Sequence, residues 1–294
     1  MTQHYQHLVP GASASGTIEV SAPFDGSLIA SVDSLDETGV EQALSNAHAL
    51  FRDKSQWLSG AERIAILKKA AQLLSERADE LTLNAAREGG KPLIDSRVEM
   101  ARAIDGLNNC VECIRTSHGE EIPMGINAAS MNRLAVTHHE PIGVVVAVSA
   151  FNHPINLIVH QVGPAIAAGC PVIVKPADDT PTSCYELINI FHQAGLPRAW
   201  CQALSTSNHD VAGKLISDPR VGFFSFIGSA KVGWMLRSQL APGTRCALEH
   251  GGVAPVIVAA DADLEDTIPA LAKAGFYHAG QVCVSVQRVY AHHS

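Results

Sequence analysis

Apolar side chains recur along this chain with two periods, and the change from one to the other divides it. In residues 61–81, Ile64, Ile66, Leu67, Ala70, Leu73, Leu74 and Leu81 fall largely on one stripe, so the pattern predicts one amphipathic helix there. A helix opened by Asp36-Glu37-Thr38 is predicted to run through Phe51, and a third to cover about 93–116. Ahead of them, 18–20 and 28–32 alternate as short strands around the turn sequence Pro23-Phe24-Asp25-Gly26. Residues 120–137 mix short polar and apolar alternation with Gly and Pro, which predicts a hairpin or projecting arm.

After Glu140-Pro141 the rhythm changes. Residues 142–148 form a near-continuous Val-rich run, the pattern of a strand buried on both faces. A helix (157–168), a strand (171–174) and a helix (183–194) follow, then a strand (200–204), a short helix (211–216), a strand (221–227) and a helix (230–240). Strands alternating with helices at this spacing predict an α/β fold built on a doubly wound parallel sheet. Ligands of such sheets sit at the carboxyl ends of the strands.

Composition narrows the class. The 294 residues are 47% hydrophobic and 17% charged, as in a globular protein with a large core, and the net charge of −8 argues against a nucleic-acid partner. No stretch is long and apolar enough to span a bilayer; the best, 155–168, is interrupted by His160, Gln161 and Pro164. Residues 1–7 lack the basic and apolar regions of a secretory signal, and seven cysteines spread over the chain fit reduced thiols, so a cytoplasmic location is expected.

Several segments at strand ends carry polar groups suited to chemistry. Gly228-Ser229-Ala230-Lys231-Val232-Gly233 follows a strand and opens a helix, where backbone N–H groups and the helix dipole favour a phosphate. It matches neither a Walker A loop nor the G-x-G-x-x-G fingerprint, and by itself reads equally as a tightly packed turn. Lys175-Pro176-Ala177-Asp178 ends another strand; Lys175 could donate to ribose hydroxyls and Asp178 accept from them, although such a loop is more often plain surface. In Phe151-Asn152-His153-Pro154, the Asn152 amide could hold an oxyanion or simply serve the turn. Cys283 follows an Ala279-Gly280 break, where a thiolate can be exposed and stabilised. Glu249, at the end of an Ala-Leu strand and before Gly251-Gly252, would act as a base if shielded by apolar neighbours, or be an ordinary edge residue. Cys110 and Cys113 fall inside a predicted helix with no second pair at zinc spacing, so no metal is expected.

In order, Pro141-Ile142-Gly143-Val144-Val145, Phe151-Asn152-His153-Pro154, the Pro164 to Cys170 run, Lys175-Pro176-Ala177-Asp178 with Thr180-Pro181, Phe226-Ile227-Gly228-Ser229 with Gly233, Leu248-Glu249-His250-Gly251-Gly252 and Gly280-Gln281-Val282-Cys283 resemble the aldehyde dehydrogenase superfamily. Glu88-Gly89-Gly90-Lys91-Pro92 is similar to that family's helical N-terminal region. The resemblance implies a cofactor domain with a Rossmann-like sheet and a helical N-terminal region over 1–119 and 138–251, an oligomerisation hairpin or arm over 120–137, and an α/β catalytic domain beginning at 252 and incomplete here. It implies Cys283 as nucleophile, Asn152 as oxyanion donor and Glu249 as the base for thioester hydrolysis. Lys175, Asp178, Gly228, Ser229, Gly233 and Phe151 would meet the cofactor, and Asp178 would favour NAD over NADP by repelling a 2′-phosphate. The expected reaction is NAD-dependent oxidation of an aldehyde to a free acid, in a homodimer or homotetramer, with no membrane or nucleic-acid partner.

The chain departs from the family pattern at three places. His250 stands where Leu is common, Val253 where Lys is frequent, and Phe151 where Trp is usual. The family's downstream Glu-x-Phe-Gly-Pro motif is not in these 294 residues, so little dehydrogenase activity is expected of them alone. A non-catalytic dinucleotide-binding or assembly piece and a Cys283-dependent esterase are the competing expectations.

Overall fold

Strands β1 (Gln3–Tyr5), β2 (Gly16–Ser21) and β3 (Leu28–Leu35) open the fold, with β2 and β3 antiparallel across the predicted turn and β1 parallel to β3 on its other edge. This computed structural model describes residues 3–206 and 208–294; of the stretch 1–7 read above for a signal, Met1 and Thr2 lie outside the described residues. Helix α1 (Glu37–Arg52) starts at Asp36, whose carboxylate accepts from the Thr38 and Gly39 N–H groups.

The single helix expected over 61–81 is two helices, α2 (Gly60–Glu76) and α3 (Ala78–Gly89). Arg77 (φ −104°, ψ 14°) leaves the helical region, and its guanidinium reaches Glu80 at 2.6 Å and Glu186 at 2.8 Å. Leu74 and Leu81 on either side are both buried, so the apolar stripe continues across a break that it cannot reveal. Helix α4 (Leu93–Thr116) follows, and then β4 (Glu121–Ile122) and β5 (Ala135–Val136) pair antiparallel as a hairpin. The hairpin exposes Ile122, Ile126, Met131 and Leu134.

The alternating part folds as β6 (Val144–Val148), α5 (Asn156–Ala168), β7 (Val172–Lys175), α6 (Pro181–Gln193), β8 (Cys201–Ala203), β9 (Ser205–Thr206), α7 (His209–Ser217), β10 (Val221–Gly228), α8 (Ala230–Arg237) and β11 (Arg245–His250). Five of these strands make one parallel sheet in the order β11-β10-β6-β7-β8, while β9 crosses to β3. The chain winds one way from β6 to β8 and the other way from β10 to β11. The reversal puts a crevice between β6 and β10 at their carboxyl ends, where such sheets take ligands.

Both faces of the sheet are covered, which is why β6 reads as an unbroken apolar run. Val145, Ala147, Val172 and Val174 pack into a core shared with α2, α4, α5 and α6; Val144, Val146 and Ile173 face α1, α7 and α8. Burying each such Val contributes about 1.5–3 kcal/mol. Helix α4 lies close behind α5, because a Cβ on Gly163 would come within 2.9 Å of the Cys110 sulfur. That burial pushes the Cys110 thiol up to about 11. Residues 252–294 add β12 (Val256–Val258), α9 (Leu264–Phe276) and β13 (Val289–Ala291), with β12 and β13 parallel. Helix α9 buries none of its residues, and Val253, Ile257, Leu264, Ile268 and Phe276 are exposed. Among the described residues no helix is long and apolar enough to cross a membrane.

Candidate active site

The loop after β6 is held from behind by α4. Helix α5 has no side-chain cap of its own at Ile155. Instead, the buried Glu99 of α4 accepts from the N–H groups of Ile155 (2.8 Å) and Asn156 (3.0 Å) through one carboxylate oxygen. Its other oxygen meets Lys91 Nζ at 2.5 Å, with both side chains 1% exposed. At the start of α6 Glu88 does the same service, accepting from the N–H groups of Thr182 (2.9 Å) and Ser183 (3.0 Å) and from the Thr182 hydroxyl. Burial pushes the Glu88 carboxyl up to about 7, against the opposing pull of those hydrogen bonds. The Glu88-Gly89-Gly90-Lys91 segment thus anchors the two helices that follow the Asn152 and Lys175 loops.

Asn152 projects from the anchored loop, and its amide Nδ2 donates to the Gln281 carbonyl at 2.7 Å. This bond joins segments 129 residues apart and sets the amide two positions from Cys283. An amide nitrogen carries two N–H donors, so the second stays available. Cys283 is exposed, as a nucleophile requires.

Before the cysteine the backbone turns left-handed at three successive residues: His278 (φ 48°), Ala279 (φ 53°) and Gly280 (φ 76°). The two non-glycine residues there cost about 1–2 kcal/mol each. The neighbours offset this. The His278 N–H donates to Asp95 Oδ2 at 3.0 Å, and the His278 ring meets the edge of His153 at 5.7 Å, while His153 stacks on Tyr277 at 6.1 Å. Burial, then the charge of Lys91 and the neighbouring His278, pull His153 down to about 3 from an ordinary 6.5. A histidine held neutral in the fold takes up its proton more readily when unfolded, so the contribution of His153 to stability is complete above its ordinary 6.5 and is lost as pH drops toward 3. Melting temperatures recorded across that interval should fall less steeply for His153→Phe, which keeps the ring packing and removes this proton.

Glu249 lies on β11 in register with Ile227 of β10, one position before the His250–Gly228 pair. The sequence suggested a carboxylate shielded by apolar neighbours, but in the described residues Glu249 is exposed, because it alternates outward along an edge strand. The turn after it comes back to the cysteine: a Cβ on Gly252 would lie 3.2 Å from the Cys283 carbonyl oxygen, and Gln287 N donates to Val253 O at 3.0 Å. The segment that leaves Glu249 therefore passes the backbone of Cys283.

On the crevice side, Lys175 Nζ meets Asp178 at 2.7 Å; the lysine side chain is 9% exposed and the aspartate 48%. Ser229 caps α8, its hydroxyl accepting from Val232 N at 3.3 Å. The glycines around it have a packing reason. A Cβ on Gly228 would fall 2.6 Å from the Phe226 ring, and one on Gly233 2.1 Å from His250 Nε2. They let α8 settle on β10 and β11, which brings the open N–H groups of its first turn to the carboxyl edge of the sheet. Phe151, at the end of β6, is 37% exposed. Cys110 is buried and Cys113 exposed on α4, and among the described residues no three His, Cys, Asp or Glu side chains gather as a metal site.

Comparison with known proteins decides what this arrangement belongs to. The model of the aldehyde dehydrogenase family matches residues 10–294. The chain belongs to the aldehyde dehydrogenase family. It is 39% identical over 253 residues to a 3-sulfolactaldehyde dehydrogenase of Priestia aryabhattai, covering 86% of this chain and 52% of that protein. Among solved structures, aldehyde dehydrogenase 21 of Physcomitrella patens, in complex with the reaction product succinate, superposes with a TM-score of 0.93 at 33% identity, over 100% of this chain and 61% of that one. Glyceraldehyde-3-phosphate dehydrogenase of Methanocaldococcus jannaschii, complexed with NADP, gives 0.88 at 32% identity, over 94% and 60%. The chain spans about half the length of that curated relative, at 52%.

The sequence reading missed Asp95 and Glu99, which touch the backbone of the Cys283 and Asn152 segments. Their signal was present: two acids spaced i, i+4 near the start of a helix share one face. What they contact, 183 and 56 residues away, had no local signature.

Proposed function

We propose that this chain carries the aldehyde-oxidising site of an NAD-dependent dehydrogenase that releases a free carboxylic acid. The bond from Asn152 to Gln281 is the observation that supports this best, because it joins an oxyanion donor to the segment bearing an exposed thiol. In this reading the Cys283 thiolate adds to the aldehyde carbon, and the carbonyl oxygen takes the displaced electron pair. The free Asn152 N–H and the Cys283 backbone N–H stabilise that oxyanion. A bound nicotinamide dinucleotide supplies the hydride acceptor. Glu249 removes a proton from water, whose oxygen attacks the thioester left on Cys283; the acid departs and the thiolate is restored. A carboxylate at this place is needed for hydrolysis and not for transfer to coenzyme A.

The crevice fits the dinucleotide by its donor set. Lys175 would donate to the adenosine ribose and Asp178 accept from it; Ser229 and the first turn of α8 suit the pyrophosphate, with Gly228 and Gly233 keeping that turn close to the sheet. Phe151 would border the nicotinamide side. We assign residues 1–119 and 138–251 to the cofactor domain, 120–137 to an oligomerisation arm of a homodimer or homotetramer, and 252–294 to the catalytic domain, in a cytoplasmic enzyme. The exposed apolar residues of the hairpin support the arm.

NADH formation from an aldehyde panel beginning with 3-sulfolactaldehyde, in the protein that carries these residues, tests the reading. Alkylation of Cys283 should stop it. Ester cleavage independent of NAD, with no aldehyde oxidation, would replace it by an esterase. Asp178 carries the cofactor preference. Replacing Asp178 by Ser should shift the ratio of kcat/KM toward NADP by roughly tenfold, as expected for about 1.4 kcal/mol of relieved repulsion.

A further inference from the structure

We infer that Asp95 and Glu99 of α4, with Lys91, are positioning residues that set the distance between Asn152 and the Cys283 segment. The inference rests on the proposed partnership of those two groups. Asp95 and Glu99 are four residues apart, so both project from one face of α4. Through Glu99 that face grips the amides of Ile155 and Asn156, just after Asn152. Through Asp95 it grips the amide of His278, which begins the left-handed turn before Cys283. Each acid binds backbone N–H groups, so it fixes the path of a loop and not merely a side chain. The loops also meet each other, at the Asn152–Gln281 bond and at the His153–His278 ring contact of 5.7 Å.

The order of forces follows from burial. Lys91 and Glu99 are both 1% exposed, and the pair neutralises charge that neither could carry alone in the core. Glu99 is thereby held in register to cap α5. Asp95 is less buried and has one protein partner on the loop, His278. Loss of the Asp95 bond would let His278–Gly280 relax from their left-handed turn, and Gln281 would move with them. The Asn152 amide would then lose the register with the Cys283 segment that its bond to Gln281 sets.

The test uses two variants with separate readouts. In Asp95→Ala, hydrogen exchange at 276–284 should rise about tenfold while exchange in β6, β7 and α6 stays as in the native protein, as expected for local opening. In the enzyme, kcat should fall by up to about 10²-fold from displacement of the reacting groups, with KM for the dinucleotide unchanged. Asp95→Asn, which keeps an acceptor oxygen, should recover most of both effects. The Lys91→Met, Glu99→Leu double variant preserves an apolar, filled interior and should loosen 151–157 and 276–284 together. Unchanged exchange at 276–284 in Asp95→Ala overturns the inference, as does a rise spread evenly over the whole fold. Exchange does not depend on turnover, so loosening of the loop in a protein that oxidises no aldehyde would refute the proposed function and leave the clamp standing.

Discussion

Cys283→Ala should abolish aldehyde oxidation, lowering kcat/KM by roughly 10⁴-fold or more, as expected when a covalent nucleophile is removed. The same substitution should leave melting unchanged within about 0.5 kcal/mol, because Cys283 is exposed and its side chain fills no core space. The contrast with the other cysteines makes the test discriminating. Cys184 and Cys201 are fully buried, and burial pushes both thiols far above their ordinary range, so neither offers a thiolate. Ala at either of those positions should cost stability and spare chemistry. Measuring kcat/KM and thermal melting for the three variants separates a nucleophile from two packing residues; activity surviving in Cys283→Ala would remove the thiol from the mechanism.

Glu249→Gln should separate the two halves of the reaction. In the proposed mechanism the oxidation step does not call on Glu249, so one equivalent of NADH per active site should appear rapidly. Hydrolysis then stalls for want of a base, and the steady-state rate should drop by about 10²–10⁴-fold. Rapid-mixing absorbance at the NADH band reads both phases in one trace, and intact-mass analysis should find the acyl group on Cys283. Loss of the burst itself would place Glu249 in the first step. Because Glu249 sits exposed on the edge strand β11, the substitution has no core to disturb.

The elements most legible in the sequence were those whose burial is uniform. β6 and β7 read as strands because both faces are covered, and α1 began where Asp36 could cap it. The α2–α3 junction escaped because Arg77 changes the backbone direction without moving Leu74 or Leu81 out of the core. Beyond 250 an incomplete α/β domain was expected with none of its elements placed; α9 exposes apolar residues and carries Pro269 within it, so periodicity has little to report. In the candidate site, the residues singled out in the sequence were those with distinctive local chemistry: Asn152, Cys283, Glu249, Lys175, Asp178 and Ser229. Those that act by holding backbone were not. Asp95 and Glu99 look like ordinary helix acids until the fold places distant amides against them.

The near-collision at Gly233 ties two ends of the crevice into a single choice. A side chain at 233 would drive into the His250 ring, which is wedged between Trp234 (5.4 Å) and Phe226 (6.2 Å) and so has little room to retreat. His250 is the immediate neighbour of Glu249 on the strand. An engineer who alters the α8 turn, proposed above to hold a phosphate, will therefore also shift the residue beside the carboxylate proposed as the hydrolytic base. Positions 233 and 250 have to be redesigned as a matched pair, a larger residue at the first calling for a smaller one at the second.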